Sequence, residues 1–153
     1  MKISKRTDYA LRVLFTLAEF HQDAHPIPIG DLARRNDIPK RFLEQIMLDL
    51  KAHGWVKSIP GKKGGYLLAL DPDQISMGEV VRAFDGMLAP IGCVSATNYE
   101  ACSQERFCRF RRVFLDIRNY AAKIMERATL GRVLKQIPVA PEEILHGLHG
   151  EGI

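Results

Sequence analysis

The stretch PKRFLEQIMLDLKAHGWVKSIPGKKGGYLLAL, Pro39–Leu70, decides the fold. Pro39 suits the first turn of a helix, because it has no N–H to leave unpaired there. Phe42, Leu43, Ile46, Met47 and Leu50 then recur at helical spacing, so a helix over Pro39–His53 buries one stripe. Gly54 is placed to close it in the left-handed conformation that a glycine adopts without strain. Trp55–Ile59 alternates like a strand, Gly61–Gly65 is a basic glycine-rich turn, and Tyr66–Leu70 is the returning strand. The spacing G-x-x-x-x-G-K-[ST] is absent and a strand follows the turn, which argues against a phosphate-binding loop.

Upstream, Tyr9, Val13, Leu14, Leu17 and Ala18 share one face of a first helix over Ser4–Phe20. His25-Pro26-Ile27-Pro28 is extended. A short helix over Asp31–Asn36 turns Ile29 and Leu32 inward, and Asp37-Ile38-Pro39 breaks it. Helix, short turn and helix followed by a hairpin make a winged helix-turn-helix, in which the third helix enters the major groove and the hairpin is the wing. The outward face of that helix carries Lys40, Arg41, Glu44, Gln45 and Lys51, with side chains able to pair with phosphates, guanine or adenine. A plain solvated face is the competing reading. The hairpin tips the balance: Lys62 and Lys63 charge its tip, and Gly64 lets the backbone approach sugar and phosphate. Lys2, Lys5 and Arg6 at the first helix, Arg34 on the second and Lys57 on the first strand complete the expected DNA-contacting set.

The charge balance agrees. Residues 1–70 carry 12 Lys and Arg against 7 Asp and Glu, whereas residues 71–153 carry 10 against 11. A basic N-terminal half points to a polyanionic partner, most often nucleic acid. An apolar share of 46% is that of a globular chain. The apolar runs are too short to span a bilayer and the N-terminus has no signal-peptide h-region, so the expectation is a cytoplasmic protein with no membrane partner.

Ser76-x-x-Glu79 is a capping box opening a fourth helix to about Asp85. All three cysteines follow at 93, 102 and 108, within 16 residues. Closely spaced thiolates on a loop can converge on one soft metal centre. Three are one short of a tetrahedral zinc or an all-thiolate iron–sulfur cluster, so another side chain completes the set or a position stays open. The alternatives are three structural cysteines, or a thiol/disulfide switch between two of them. No C-x-x-C pair is present, as a zinc ribbon would need, and no His/Asp constellation is placed to activate a nucleophile, so an enzyme is not expected. From Cys108 to about Ala128 a long helix carries an apolar stripe of the kind that packs on a partner, and Thr129 caps a last short helix. The expected architecture is mainly α with a small β-hairpin. Residues 1–72 form the winged helix-turn-helix, 73–107 the connecting helix and cysteine loop, 108–137 the dimerisation helix and final short helix, and 138–153 a loose tail whose His146 and His149 are read as solvated.

KRTDYALR at 5–12, IPKRFLEQ at 38–45, GWVKSIPGKKGGYLL at 54–68, ISMGEVVRA at 75–83 and TLGRVL at 129–134 together resemble the Rrf-type winged-helix regulators, over residues 1–137. The resemblance implies a homodimeric repressor on a dyad-symmetric operator, crossed by the long helix, with DNA affinity controlled by an iron–sulfur cluster on Cys93, Cys102 and Cys108. IscR-like members take a histidine three residues after the last cysteine and hold a 2Fe–2S cluster; that position here is Arg111. NsrR-like nitric-oxide sensors take an aspartate of the opposite subunit near the start of the first helix, and Asp8 stands at the matching place. The resemblance therefore favours 4Fe–4S over 2Fe–2S, with Asp8 as the fourth ligand. An exposed carboxylate favoured by the helix dipole is the other reading of Asp8. The cysteine spacing is closer to RirA-like iron-responsive members, which leaves nitric oxide, iron and redox stress all open as the signal. Members often carry an arginine before the first wing glycine; here it is Pro60, so minor-groove contact falls to Lys62 or Lys63.

Overall fold

The computed structural model describes residues 1–146. Helix α1 (Lys5–Glu19) starts where Ser4 Oγ accepts the Thr7 N–H at 3.2 Å, and it buries Ala10, Val13, Leu14 and Leu17. Helices α2 (Ile29–Asn36) and α3 (Lys40–Ala52) meet at Asp37, whose left-handed backbone (φ 52°) turns the chain between them. Helix α2 begins two residues before the expected Asp31, because Pro28 presets its N-cap and its carbonyl accepts the N–H groups of Asp31 and Leu32. Asn36 at its end donates its amide to the Leu32 carbonyl and accepts from the Thr16 hydroxyl, satisfying polar groups beside the core.

Helix α3 buries Leu43, Ile46, Met47 and Leu50 as expected, but Phe42 is 45% exposed. The buried arc is only four positions wide. Phe42 lies at its edge, where its ring meets Tyr9 edge-on at 5.7 Å. Gly54 takes the left-handed conformation (φ 74°) that closes the helix. Strands β1 (Val56–Ile59) and β2 (Gly65–Leu68) pair antiparallel with Val56 opposite Leu68. Ile27 and Tyr66 exchange both backbone hydrogen bonds, so the proline-rich segment docks on the wing. A Cβ on Gly65 would run into the Ile27 carbonyl, which explains a glycine at that point.

Helix α4 (Met77–Asp85) opens with the expected capping box: Ser76 Oγ accepts the Glu79 N–H at 3.2 Å, and Glu79 Oε2 accepts the Ser76 N–H at 2.9 Å. The long helix α5 (Phe110–Arg127) lies against α4, tied by an Arg82–Glu126 ion pair where Gly78 allows close approach. Thr129 caps α6 (Leu130–Val133), which packs on α1, and Leu130 is buried in the core. The core thus lies among α1–α4, the wing and α6, while α5 buries none of its residues completely. Phe110 (74% exposed), Val113, Ile117, Tyr120 (69%) and Ile124 stand along it as an uncovered apolar stripe.

Where the sequence suggested a loose tail over 138–153, Pro141–His146 form a further helix, α7. Pro141 suits the first turn, Glu142 and Glu143 favour its positive end, and Glu143 Oε1 accepts the Ala140 N–H at 2.8 Å. The rest of that tail, 147–153 with His149, lies outside the described residues.

Candidate DNA interface and cysteine loop

One face of the winged unit is polar and exposed. Lys40, Arg41, Glu44 and Gln45 stand in solvent on the first half of α3. The core stripe fixes the rotation of that helix, so the side chains left over must point outward. The wing places Lys62 and Lys63 at an exposed tip, closed by a Gly64 N–H bond to the Gly61 carbonyl at 2.9 Å. A Cβ on Gly64 would meet the Ile59 and Gly61 carbonyl oxygens, so the turn itself demands the glycine that the sequence suggested for close DNA approach. Lys57 is exposed on β1, and Lys2 and Lys5 are exposed at the N-terminus. Arg34 is exposed but pairs with Asp31 at 2.7 Å, one turn back on α2. Arg6 is engaged as well: its guanidinium pairs with Asp49 of α3 and lies 5.4 Å from the Phe84 ring centre.

The cysteine loop runs from Gly86 to Arg109. A 3-10 turn, Gly92–Val94, buries Cys93; Cys108 is half-buried and Cys102 is exposed. Cys93 and Cys108 line one cavity of about 500 Å³, together with Tyr99, Leu115 and the arginines 111, 112 and 118. Arg111 donates twice to the Cys93 carbonyl, at 3.0 and 3.2 Å, and Arg118 donates to the Val94 carbonyl at 2.6 Å. These two arginines, seven positions apart and so on one face of α5, staple the turn of Cys93 and Val94 to the long helix. Sequence reasoning noted Arg111 only as the missing histidine and overlooked Arg118; their spacing was the available signal. Tyr99 donates to Glu105 Oε2 at 2.6 Å, and this bond to the carboxylate raises the phenol pKa.

Cys102 does not line the cavity, and among the described residues no three ligating side chains converge. Asp8 bonds Arg12, one turn along α1, at 2.8 and 3.1 Å, and it is not part of that cavity. The donor chemistry nonetheless suits an anionic iron–sulfur group. Two soft sulfurs already open onto one cavity, arginine cations wall it, and the third thiol sits on the same exposed loop.

A helix-turn-helix backed by a two-stranded wing, with its third helix exposed along one polar face, defines the chain as a winged-helix transcription regulator. It belongs to the Rrf2 family: residues 3–136 match the family described as iron-dependent transcriptional regulator. It is similar to the rrf2-like HTH-type transcriptional regulator of Rhodobacter capsulatus, 41% identical over 120 residues that cover 75% of this chain and 80% of the relative. It is also similar to the HTH-type transcriptional regulator CymR of Bacillus subtilis, 31% identical over 130 residues, or 85% and 87% of the two chains. The solved structure of CymR, described as the global cysteine regulator of B. subtilis, superposes with a TM-score of 0.77 at 28% identity, covering 90% of this chain and 99% of that one. No helix among the described residues is long and apolar enough to cross a membrane.

Proposed function

We propose that the protein is a homodimeric repressor that binds dyad-symmetric operator DNA, with affinity set by an iron–sulfur cluster, 4Fe–4S in preference to 2Fe–2S, on Cys93, Cys102 and Cys108. The observation that carries the reading is the cavity shared by Cys93 and Cys108 and walled by Arg111 and Arg118. The family's description as iron-dependent supports it. Bound there, such a group supplies a redox-active and nitric-oxide-reactive centre. In this reading the chain's own residues do the transmission. Cys102 on the exposed loop would be the third thiolate, Arg111 and Arg118 hold the turn of Cys93 and Val94 to α5, and the stripe Phe110–Ile124 packs on its counterpart in a second copy. Asp8 of that copy, which here accepts from Arg12, would be the fourth ligand. Dimer geometry sets the spacing of the two α3 helices, so loss of the cluster on exposure to nitric oxide, iron limitation or oxidation alters which half-sites are reached together.

The test is iron and acid-labile sulfide per subunit, with native mass, on protein purified without oxygen, followed by DNA binding before and after treatment with nitric oxide or a chelator. Four irons and four sulfides per subunit, in a dimer whose DNA affinity changes on treatment, is the expected result. Iron-free protein that still responds to oxidation overturns the cluster and leaves a thiol switch between Cys93 and Cys108 on the same scaffold.

A further inference from the structure

Arg6 lies in the basic N-terminus, where the sequence assigns it to DNA, yet its half-exposed side chain is engaged within the protein. Its guanidinium is shared between two elements: it pairs with Asp49 in the last turn of the recognition helix α3 and lies over Phe84 in the last turn of α4. Two residues away, the Ser4 N–H donates to Asp85 Oδ2 at 2.8 Å, a second tie between the start of α1 and the end of α4. Burial alone raises the Asp85 pKa, but bonds from Ser4 and Thr7 outweigh it, so the carboxyl sits below its ordinary value and stays ionised. Phe84 also lies 6.5 Å from the His53 ring, and His53 stacks on Trp55 at 4.7 Å, so the same corner includes the hinge between α3 and the wing. Asp85 is followed at once by the loop that carries Cys93.

We propose that Arg6 is a positioning residue that latches the recognition helix to the end of α4, and so to the root of the cysteine loop, and that it does not contact DNA. Two physical arguments carry this. A guanidinium already held by a carboxylate gains little by exchanging it for a phosphate, and the exchange leaves Asp49 as an unpaired anion on the element that approaches a polyanion. The latch also provides a contact route from the loop to α3 beside the Phe84–His53 contact: Phe84 and Asp85 precede the loop covalently, and Arg6 and Ser4 of one helix start hold both. Movement of the loop root therefore moves the support of α3. The inference rests on the DNA-binding reading above.

The test uses the full-length protein and a 30-base-pair duplex selected in vitro on the wild type, with affinity followed across salt concentration for Arg6→Gln, Arg6→Lys and Asp49→Asn. The pair is partly exposed, so Arg6→Gln and Asp49→Asn should each weaken binding roughly threefold, with the salt slope of the wild type retained and Arg6→Lys largely restoring affinity. The sign at Asp49 is diagnostic, since simple removal of a negative charge near DNA tightens binding. Tighter binding by Asp49→Asn overturns the latch, as does a salt slope shallower by about one per Arg6 removed, the mark of a phosphate contact. Amide hydrogen exchange without DNA provides an independent readout: Arg6→Gln should speed exchange at the end of α4 and at Ser4, and unchanged exchange refutes the latch. Faster exchange in a protein that selects no duplex overturns the DNA reading while the latch stands.

Discussion

Removing both wing lysines, Lys62→Ala with Lys63→Ala, tests whether the hairpin lies against the DNA backbone. Both side chains are exposed at the tip, and neither belongs to an ion pair among the described residues, so no internal interaction is lost. The turn is held by the Gly64 N–H bond to Gly61 and by strand pairing, which the substitutions leave in place. Each lysine that neutralises a phosphate releases about 0.9 counterion, so two lysines on each of two wings steepen the salt dependence by about 3.6 in log–log slope. Between about 50 and 200 mM salt, the wild type should therefore lose roughly a hundredfold more affinity than the variant. The assay is fluorescence anisotropy of a labelled duplex over that range, with thermal unfolding as the control for folding. Parallel salt dependences in a folded variant would refute a wing seated on phosphates, and Lys40 and Arg41 of α3 would then carry the electrostatics alone.

Asp85 has a folded pKa below its unfolded one, so its contribution to stability is present above the ordinary carboxylate range and is lost as pH falls through the folded value; Asp85→Asn should cost stability near neutrality and progressively less toward about pH 3 in urea unfolding. Ser76→Ala deletes a buried N-cap and should lower stability by about 1 kcal/mol, seen as a drop in Tm of about 2–4 °C; an unchanged Tm would contradict the capping account of α4. Ile117→Lys places a charge in the middle of the uncovered α5 stripe and should halve the native mass measured by light scattering, while a dimer that persists would move the subunit interface elsewhere.

Local chemistry made most of this fold legible in the chain. Periodicity located α1, α3, α4 and α5; Ser76 and Glu79 marked a capping box; Gly54 and the run from Gly61 to Gly65 marked a cap and a turn. Each of these signals acts over a few residues, so it survives without knowledge of the rest of the chain. Helix α7 is not legible in the chain, because prolines and glycines around it outweigh the short Pro-Glu-Glu start signal. Phe42 was misplaced because periodicity defines a stripe's centre better than its edge, and only the position of Tyr9 decides on which side of the edge a ring falls.

The candidate site divides along the same line. The sequence by itself determined that three thiols share one loop and that lysines crown a hairpin, since both are matters of residue type and separation. Only the tertiary structure decided which charges remain available. Arg6 is drawn to Asp49, 43 residues away, and Arg111 and Arg118 reach back 18 and 24 residues to the carbonyls of Cys93 and Val94. A long cationic side chain looks the same in sequence whether it meets solvent, phosphate or a carboxylate, and the choice is made by whichever acceptor the packed elements bring within about 3 Å.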